Sequence, residues 1–139
     1  FCRLMVALVE EKTGTALPAP AAPFTDTQSP AVAAAYEAGI VKGASETSFN
    51  PSGSITRQEA AVMLSRTAGL LGLTAGAGET FADGGSIASW ATDEVAFTSG
   101  LVDSTGARVM GGTGGGNFSP ANLYTREQAI LTALRLSRC

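Results

Sequence analysis

No histidine occurs in this sequence of 139 residues, and only 15% of its side chains are charged. The first absence removes the commonest general base and the commonest metal ligand together. Cysteine is scarce too: Cys2 and Cys139 stand at opposite ends of the chain, which excludes the paired spacings of zinc sites. They either form a disulfide, within a chain or between chains, or serve as small core or tail residues, and their positions alone do not decide. Nine basic residues face twelve acidic ones for a net charge of −3, with no basic cluster, so there is no positive stripe for a nucleic-acid backbone. Long apolar runs are missing as well. Charge or glycine interrupts each one before the roughly 18 residues that a membrane-spanning helix needs, which argues against membrane insertion. No pair or triad of Asp, Glu and Ser recurs at a chemically sensible spacing, so the sequence argues against an enzyme and calls for no cofactor and no metal.

What is present is a globular composition, 45% hydrophobic, on a chain long enough for one domain with a core and too short for two comfortable ones. A single domain over residues 1–139 is therefore expected. Phe1 falls at the start of an apolar periodic run, so the chain reads as a piece of a longer polypeptide and the lack of a leader is uninformative.

An internal repeat organises the chain. Ile40-Val41-Lys42-Gly43, Phe49-Asn50-Pro51 and Thr56-Arg57 return as Val109-Met110-Gly111-Gly112, Phe118-Ser119-Pro120 and Thr125-Arg126, with 112−43, 118−49 and 126−57 all equal to 69. Phe24-Thr25-Asp26 returns as Phe81-Ala82-Asp83 at an offset of 57, so the second copy holds 69−57, or 12, extra residues, assigned to about Thr98–Ala107. A partial copy opens the chain: Phe1, Leu4, Met5, Leu8 and Val9 keep the helical period and match the helix after Thr56-Arg57. The plan is thus a final helix (1–12), a Pro- and Ala-rich linker over 13–23, a repeat over 24–72 and a second over 81–139, with a flexible joint near Gly69–Gly78. An isolated helix as short as the first is marginal in water, so Leu4, Met5 and Leu8 are expected to bury against the helix after Thr56 or Thr125, or against another chain.

Local chemistry marks the helix starts. Ser29-Pro30 reads as an N-cap followed by proline at the first helical position. Ser89-Trp90, with Asp93 and Glu94 after it, reads as another entry. Thr56-x-x-Glu59 and Thr125-x-x-Gln128 are both capping boxes. Phe49-Asn50-Pro51 and Phe118-Ser119-Pro120 read as turns with a buried aromatic anchor. The run from Gly111 to Gly116 lacks the Lys-Ser/Thr of a phosphate loop and is a loop only.

In this order and spacing, the motifs resemble the S-layer homology repeat. Phe24, Asp26, Gly39-Ile40-Val41-Lys42-Gly43, Phe49, Pro51 and Ile55-Thr56-Arg57-Gln58-Glu59 carry the resemblance in the first copy. Phe81, Asp83, Trp90, Gly112, Phe118, Pro120 and Tyr124-Thr125-Arg126-Glu127-Gln128 carry it in the second. The copies differ: the first has no tryptophan near Ala31, and Gln128 stands where the first has Glu59. The resemblance implies an all-α fold of helix–loop–helix units packed as a pseudo-threefold prism. It also implies an extracellular, non-catalytic module that anchors its parent to the wall of a Gram-positive-type bacterium. Its ligand would be secondary cell-wall polysaccharide, anionic and pyruvylated.

The candidate glycan-binding residues are Arg57, Arg126, Trp90, Asp26, Asp83, Glu59 and Gln128. Arg57 and Arg126 each occupy a helix first turn, where the macrodipole disfavours a cation. Backbone N–H groups and guanidinium together suit a carboxylate there. Alternatively each arginine pairs with Asp26 or Asp83 and holds repeats together. Trp90 is either a platform for a sugar ring or a core anchor. Asp26 and Asp83 hydrogen-bond sugar hydroxyls or form an Asx turn or cap. Glu59 and Gln128 are caps in either case. The rival function is a structural or oligomerisation module of a larger secreted protein, self-associating through the incomplete repeat.

Overall fold

The computed structural model describes residues 1–139 and contains five α-helices and no β-strand. They are α1 (Cys2–Thr13), α2 (Pro30–Glu37), α3 (Arg57–Leu70), α4 (Thr92–Gly100) and α5 (Arg126–Ser137). The all-α class implied by the motifs is the class observed. The chain divides into two compact units, Phe1–Gly53 and Ser54–Cys139.

In the first unit α1 packs on α2. Met5 is fully buried, and Val6, Leu8 and Val9 nearly so. Within this unit their neighbour is α2. Leu4, expected to be buried, is 39% exposed. Helix α1 ends where Gly14 turns left-handed (φ 67°) and returns its N–H to Glu10 O. Pro30 starts α2 at its first position after Ser29, whose side chain makes no capping bond. Past α2 the chain reverses so that Ile40 N–H reaches Ala35 O at 2.8 Å, which buries Ile40 completely. Phe24 is the hub of this unit, edge-on to Tyr36 at 5.2 Å and tilted on Phe49 at 5.4 Å.

In the second unit α3 packs on α4. Ala60, Ala61, Leu64 and Ala68 have no exposed surface. Thr67 and Thr98 are equally buried and satisfy their hydroxyls on Met63 O and Glu94 O. Helix α4 begins at Thr92, after Ala91, with Asp93 and Glu94 in its first turn. The entry expected at Ser89-Trp90 therefore falls two residues early, because the residues before Thr92 form a turn, closed by Ala91 N–H on Ala88 O.

The joint expected near Gly69–Gly78 is not loose at either end. Helix α3 runs through Gly69 to Leu70. The segment after it then lies along α4, with Gly76 N–H on Gly100 O and Glu79 N–H on Ser99 Oγ. A Cβ at Gly78 would sit 2.5 Å from Ala96 O, so only glycine permits this approach.

The twelve extra residues fall in two places, and the stretch expected at about Thr98–Ala107 takes in most of the larger one. Thr98, Ser99 and Leu101 are buried core. Gly39 after α2 corresponds to Gly100 at the end of α4, and 100−39 is 61. The excess is thus 61−57, or 4, residues before α4, where a 3-10 turn at Gly84–Ser86 sits, and 69−61, or 8, after it. The eight form a closed turn with a Val102–Arg108 bridge and Val109 N–H on Leu101 O.

Candidate functional site

Each Phe-x-Asp is tied to its own Phe-x-Pro turn by a carboxylate. Asp26 accepts the N–H groups of Phe49 (2.9 Å) and Asn50 (2.7 Å) and the Ser48 hydroxyl (3.1 Å). Asp83 accepts those of Phe118 (2.7 Å) and Ser119 (2.8 Å). Both aspartates thus latch a turn more than twenty residues downstream, and neither caps the following helix. The latch holds the residue before each proline in the left-handed region, Asn50 at φ 61° and Ser119 at φ 57°. Asparagine tolerates this conformation; serine does so less readily. Ser119 is further fixed by a 2.6 Å hydrogen bond between its hydroxyl and that of Thr113. Beside each latch two phenylalanine rings meet at a tilt, Phe24 with Phe49 (46°) and Phe81 with Phe118 (51°), so the two copies build the same local structure.

The N–H donors of Phe49 and Phe118 are the main reason the carboxyls of Asp26 and Asp83 lie below the ordinary aspartate range. A folded pKa below the unfolded one contributes stability above the unfolded value of about 3.9 and loses it as pH falls through the lower folded value. Asp83→Asn is therefore expected to lower the melting temperature at pH 7 and to flatten its fall below about pH 4. Melting curves from pH 7 to about pH 2 test this, and an unaltered acid limb would remove Asp83 from it.

The two repeat-equivalent arginines differ completely. Arg57 is buried, with 5% of its surface exposed. Its Nε donates to Phe118 O at 2.9 Å, one terminal nitrogen donates to Gly111 O at 2.7 Å, and its guanidinium carbon lies 4.9 Å from the centre of the Phe118 ring. No ion pair forms with Asp26 or Asp83; the carbonyls take the donors instead, while the Asp83 charge acts on Arg57 through space. The first N–H groups of α3 are also engaged: Arg57 N–H on Asn122 O, Gln58 N–H on Pro120 O, and Glu59 N–H on Thr56 Oγ1. Burial lowers the Arg57 pKa.

At the equivalent start of α5, Arg126 is exposed and its guanidinium has no hydrogen bond or ion pair. The backbone N–H groups of Arg126 and Glu127 also lack acceptors. Only Gln128 N–H is engaged, by Thr125 Oγ1 at 3.2 Å. Both capping boxes are complete. Glu59 Oε2 accepts Thr56 N–H at 2.6 Å and Gln128 Oε1 accepts Thr125 N–H at 3.3 Å. Trp90 is neither in a helix nor a core anchor: it stands in the turn before α4 with 55% of its surface exposed.

Three further side chains hold the surrounding turns and caps in roles that their motifs do not announce. Gln58 accepts Ala88 N–H through Oε1 at 3.0 Å and so holds the turn that carries Trp90. Tyr124, at the repeat position of Ile55, bonds its hydroxyl to that of Thr132. Burial pushes its pKa up to about 12. Asp103 accepts from the Thr105 hydroxyl and N–H and from Ala107 N–H, which lowers its pKa. The Asp-x-Thr-Gly order at 103–106 is a turn signal that would have found it. No group of three metal-ligating side chains comes together, and no helix is long and apolar enough to cross a membrane.

The S-layer homology domain model matches the chain over residues 23–61 and 104–130. An endoglucanase of Bacillus sp. (strain KSM-635) is 33% identical over 121 residues, a match that takes in 81% of this chain. The chain spans only 11% of that enzyme's length. No solved structure matches. The matched segments contain both arms of the first latch, the capping box at Thr56 and the whole Phe118–Gln128 segment around which Arg57 closes. This chain belongs to the S-layer homology family, whose domains serve as cell-surface anchoring modules.

Proposed function

We propose that the chain anchors its parent protein outside the cell by holding an anionic, pyruvylated secondary cell-wall polysaccharide without covalent chemistry. The observation that carries this reading is the contrast between the two arginine sites. At α3 the guanidinium and the first N–H groups are all spent on the fold. At α5 the guanidinium and the first two N–H groups are open to solvent. A guanidinium beside two unpaired N–H groups at a helix N-terminus suits a carboxylate, such as that of a ketal-linked pyruvate. Glu127, the next residue, projects about 100° around the helix axis from Arg126. We assign charge recognition to Arg126, and stacking on a sugar ring to the exposed Trp90. Asp83, Glu59, Gln128 and Arg57 build turns and caps of the unit that carries these two, and Asp26 builds the equivalent turn of the first unit.

Arg126→Ala is expected to leave folding stability within about 0.5 kcal/mol of the parent, as at an ordinary surface site. Affinity for purified wall polysaccharide is expected to fall by about 1.5–3 kcal/mol, the loss of a charge-assisted hydrogen bond. Removing pyruvate from the polysaccharide is expected to cost the parent a similar amount and the variant little. A folded Arg126→Ala chain that binds at full strength would remove the arginine from the site.

A further inference from the structure

Helix α5 is apolar on two opposite faces. Ala129, Thr132 and Leu136 point into the unit, while Ile130 (55% exposed), Leu131 and Leu134 (44% each) point to solvent. A helix with one buried face normally carries polar residues on the other. At about 100° per residue, Glu127, Leu131, Leu134 and Arg138 fall within a sector of about 60°, and Ile130 lies about 40° beyond it. The order along this stripe is acid, three apolar side chains, base.

The repeat allows a comparison inside the same unit. The equivalent stripe of α3 is Gln58, Ala61, Val62, Ser65 and Gly69, and there Ala61 and Val62 are buried. Small residues at those positions allow a close neighbour; isoleucine and two leucines hold one farther off. Neither charge at the ends of the α5 stripe has a counterpart in α3. The α5 stripe therefore suits a different occupant from the one α3 has.

We infer that this stripe is a self-association surface, on which α5 of a second copy of the chain lies antiparallel. The spacing of four, three and four residues makes the stripe complementary to itself when reversed. With the two-fold axis between Thr132 and Ala133, Leu131 meets Leu134 of the second copy. The same axis sets Glu127 opposite Arg138 of the second copy, and symmetry repeats both contacts. A parallel pair would instead set Glu127 against Glu127 and Arg138 against Arg138. Arg138 lies near enough to Asp103 to lower that carboxyl's pKa, but no ion pair ties it down. The surface belongs to the complete second repeat. The opening helix offers no such stripe, since Met5, Val6, Leu8 and Val9 are buried. One pair of 12-residue helices buries less than a standard protein interface, so the dimer is weak and concentration-dependent.

Sedimentation velocity of residues 1–139 from about 1 μM to about 1 mM tests the inference, a range that brackets weak interfaces. The parent is expected to move from monomer to dimer across the range. Leu131→Glu with Leu134→Glu is expected to stay monomeric while its circular dichroism and melting temperature stay as in the parent. Glu127→Arg alone and Arg138→Glu alone are each expected to weaken the dimer about tenfold. The two together are expected to restore it, which a loose apolar contact would not do. A parent that stays monomeric throughout overturns the inference and leaves the stripe to another segment of a longer polypeptide. Association that survives both glutamates, or a double charge exchange that restores nothing, overturns it equally.

Discussion

Phe118→Ala is expected to destabilise the unit Ser54–Cys139 by about 3–5 kcal/mol, the range for removing a fully buried aromatic side chain. The ring has no exposed surface, packs on Phe81 at 5.2 Å and forms the face over which the Arg57 guanidinium lies. The substitution therefore removes packing and a cation–π contact together. Phe49→Ala, the repeat equivalent, is expected to cost less, because that ring is only partly buried and has no arginine above it. Trp90 is the sole tryptophan and lies in the same unit as Phe118, so its fluorescence in a urea titration reports that unit's transition. A Phe118→Ala midpoint within error of the parent's would mean the turn is not anchored by its ring.

Arg57→Ala is expected to cost about 2–4 kcal/mol, since it leaves Phe118 O and Gly111 O without their charged donor and empties the space beside the ring. Arg57→Lys is expected to recover only part of this, because an ammonium on a single stem cannot reproduce two donors of a planar fork. The same urea titration checks both. The contrast with Arg126→Ala is the sharper test: two arginines at the same place in a repeat are expected to differ several-fold in their effect on folding. Equal effects would show that burial at Arg57 contributes nothing.

That contrast also marks the limit of the sequence. Thr56 and Thr125 announced their helices because a capping box is complete within four residues, and both helices start at the next residue. Pro30 did the same for α2. The entry to α4 was misplaced because Ser89 looks like a cap, whereas the residue that stands there, Ala91, has no capping side chain. The fate of Arg57 was unreadable for a different reason. Its acceptors lie 54 and 61 residues away, and nothing near residue 57 distinguishes it from residue 126. The aspartate latches were hidden in the same way: Asp26 and Asp83 were visible as repeat landmarks, but their acceptor role is fixed by turns far along the chain. The four extra residues before α4 were hidden because one constant offset, read at the glycine turn, conceals two separate additions on either side of that helix.

The carboxylate latch closes a loop of 23 residues from Asp26 to Phe49 and one of 35 residues from Asp83 to Phe118. The entropy of closing a flexible loop grows only with the logarithm of its length, so the longer one costs about 0.4 kcal/mol more. The latch geometry is nearly the same in both: two backbone N–H groups on one carboxylate, beside a pair of tilted rings. A repeat built this way can lengthen between its fixed ends at almost no thermodynamic penalty. Sequence drift should therefore collect in the stretches beside the first helix of each repeat, where new surface can be added while the clasp itself stays unchanged.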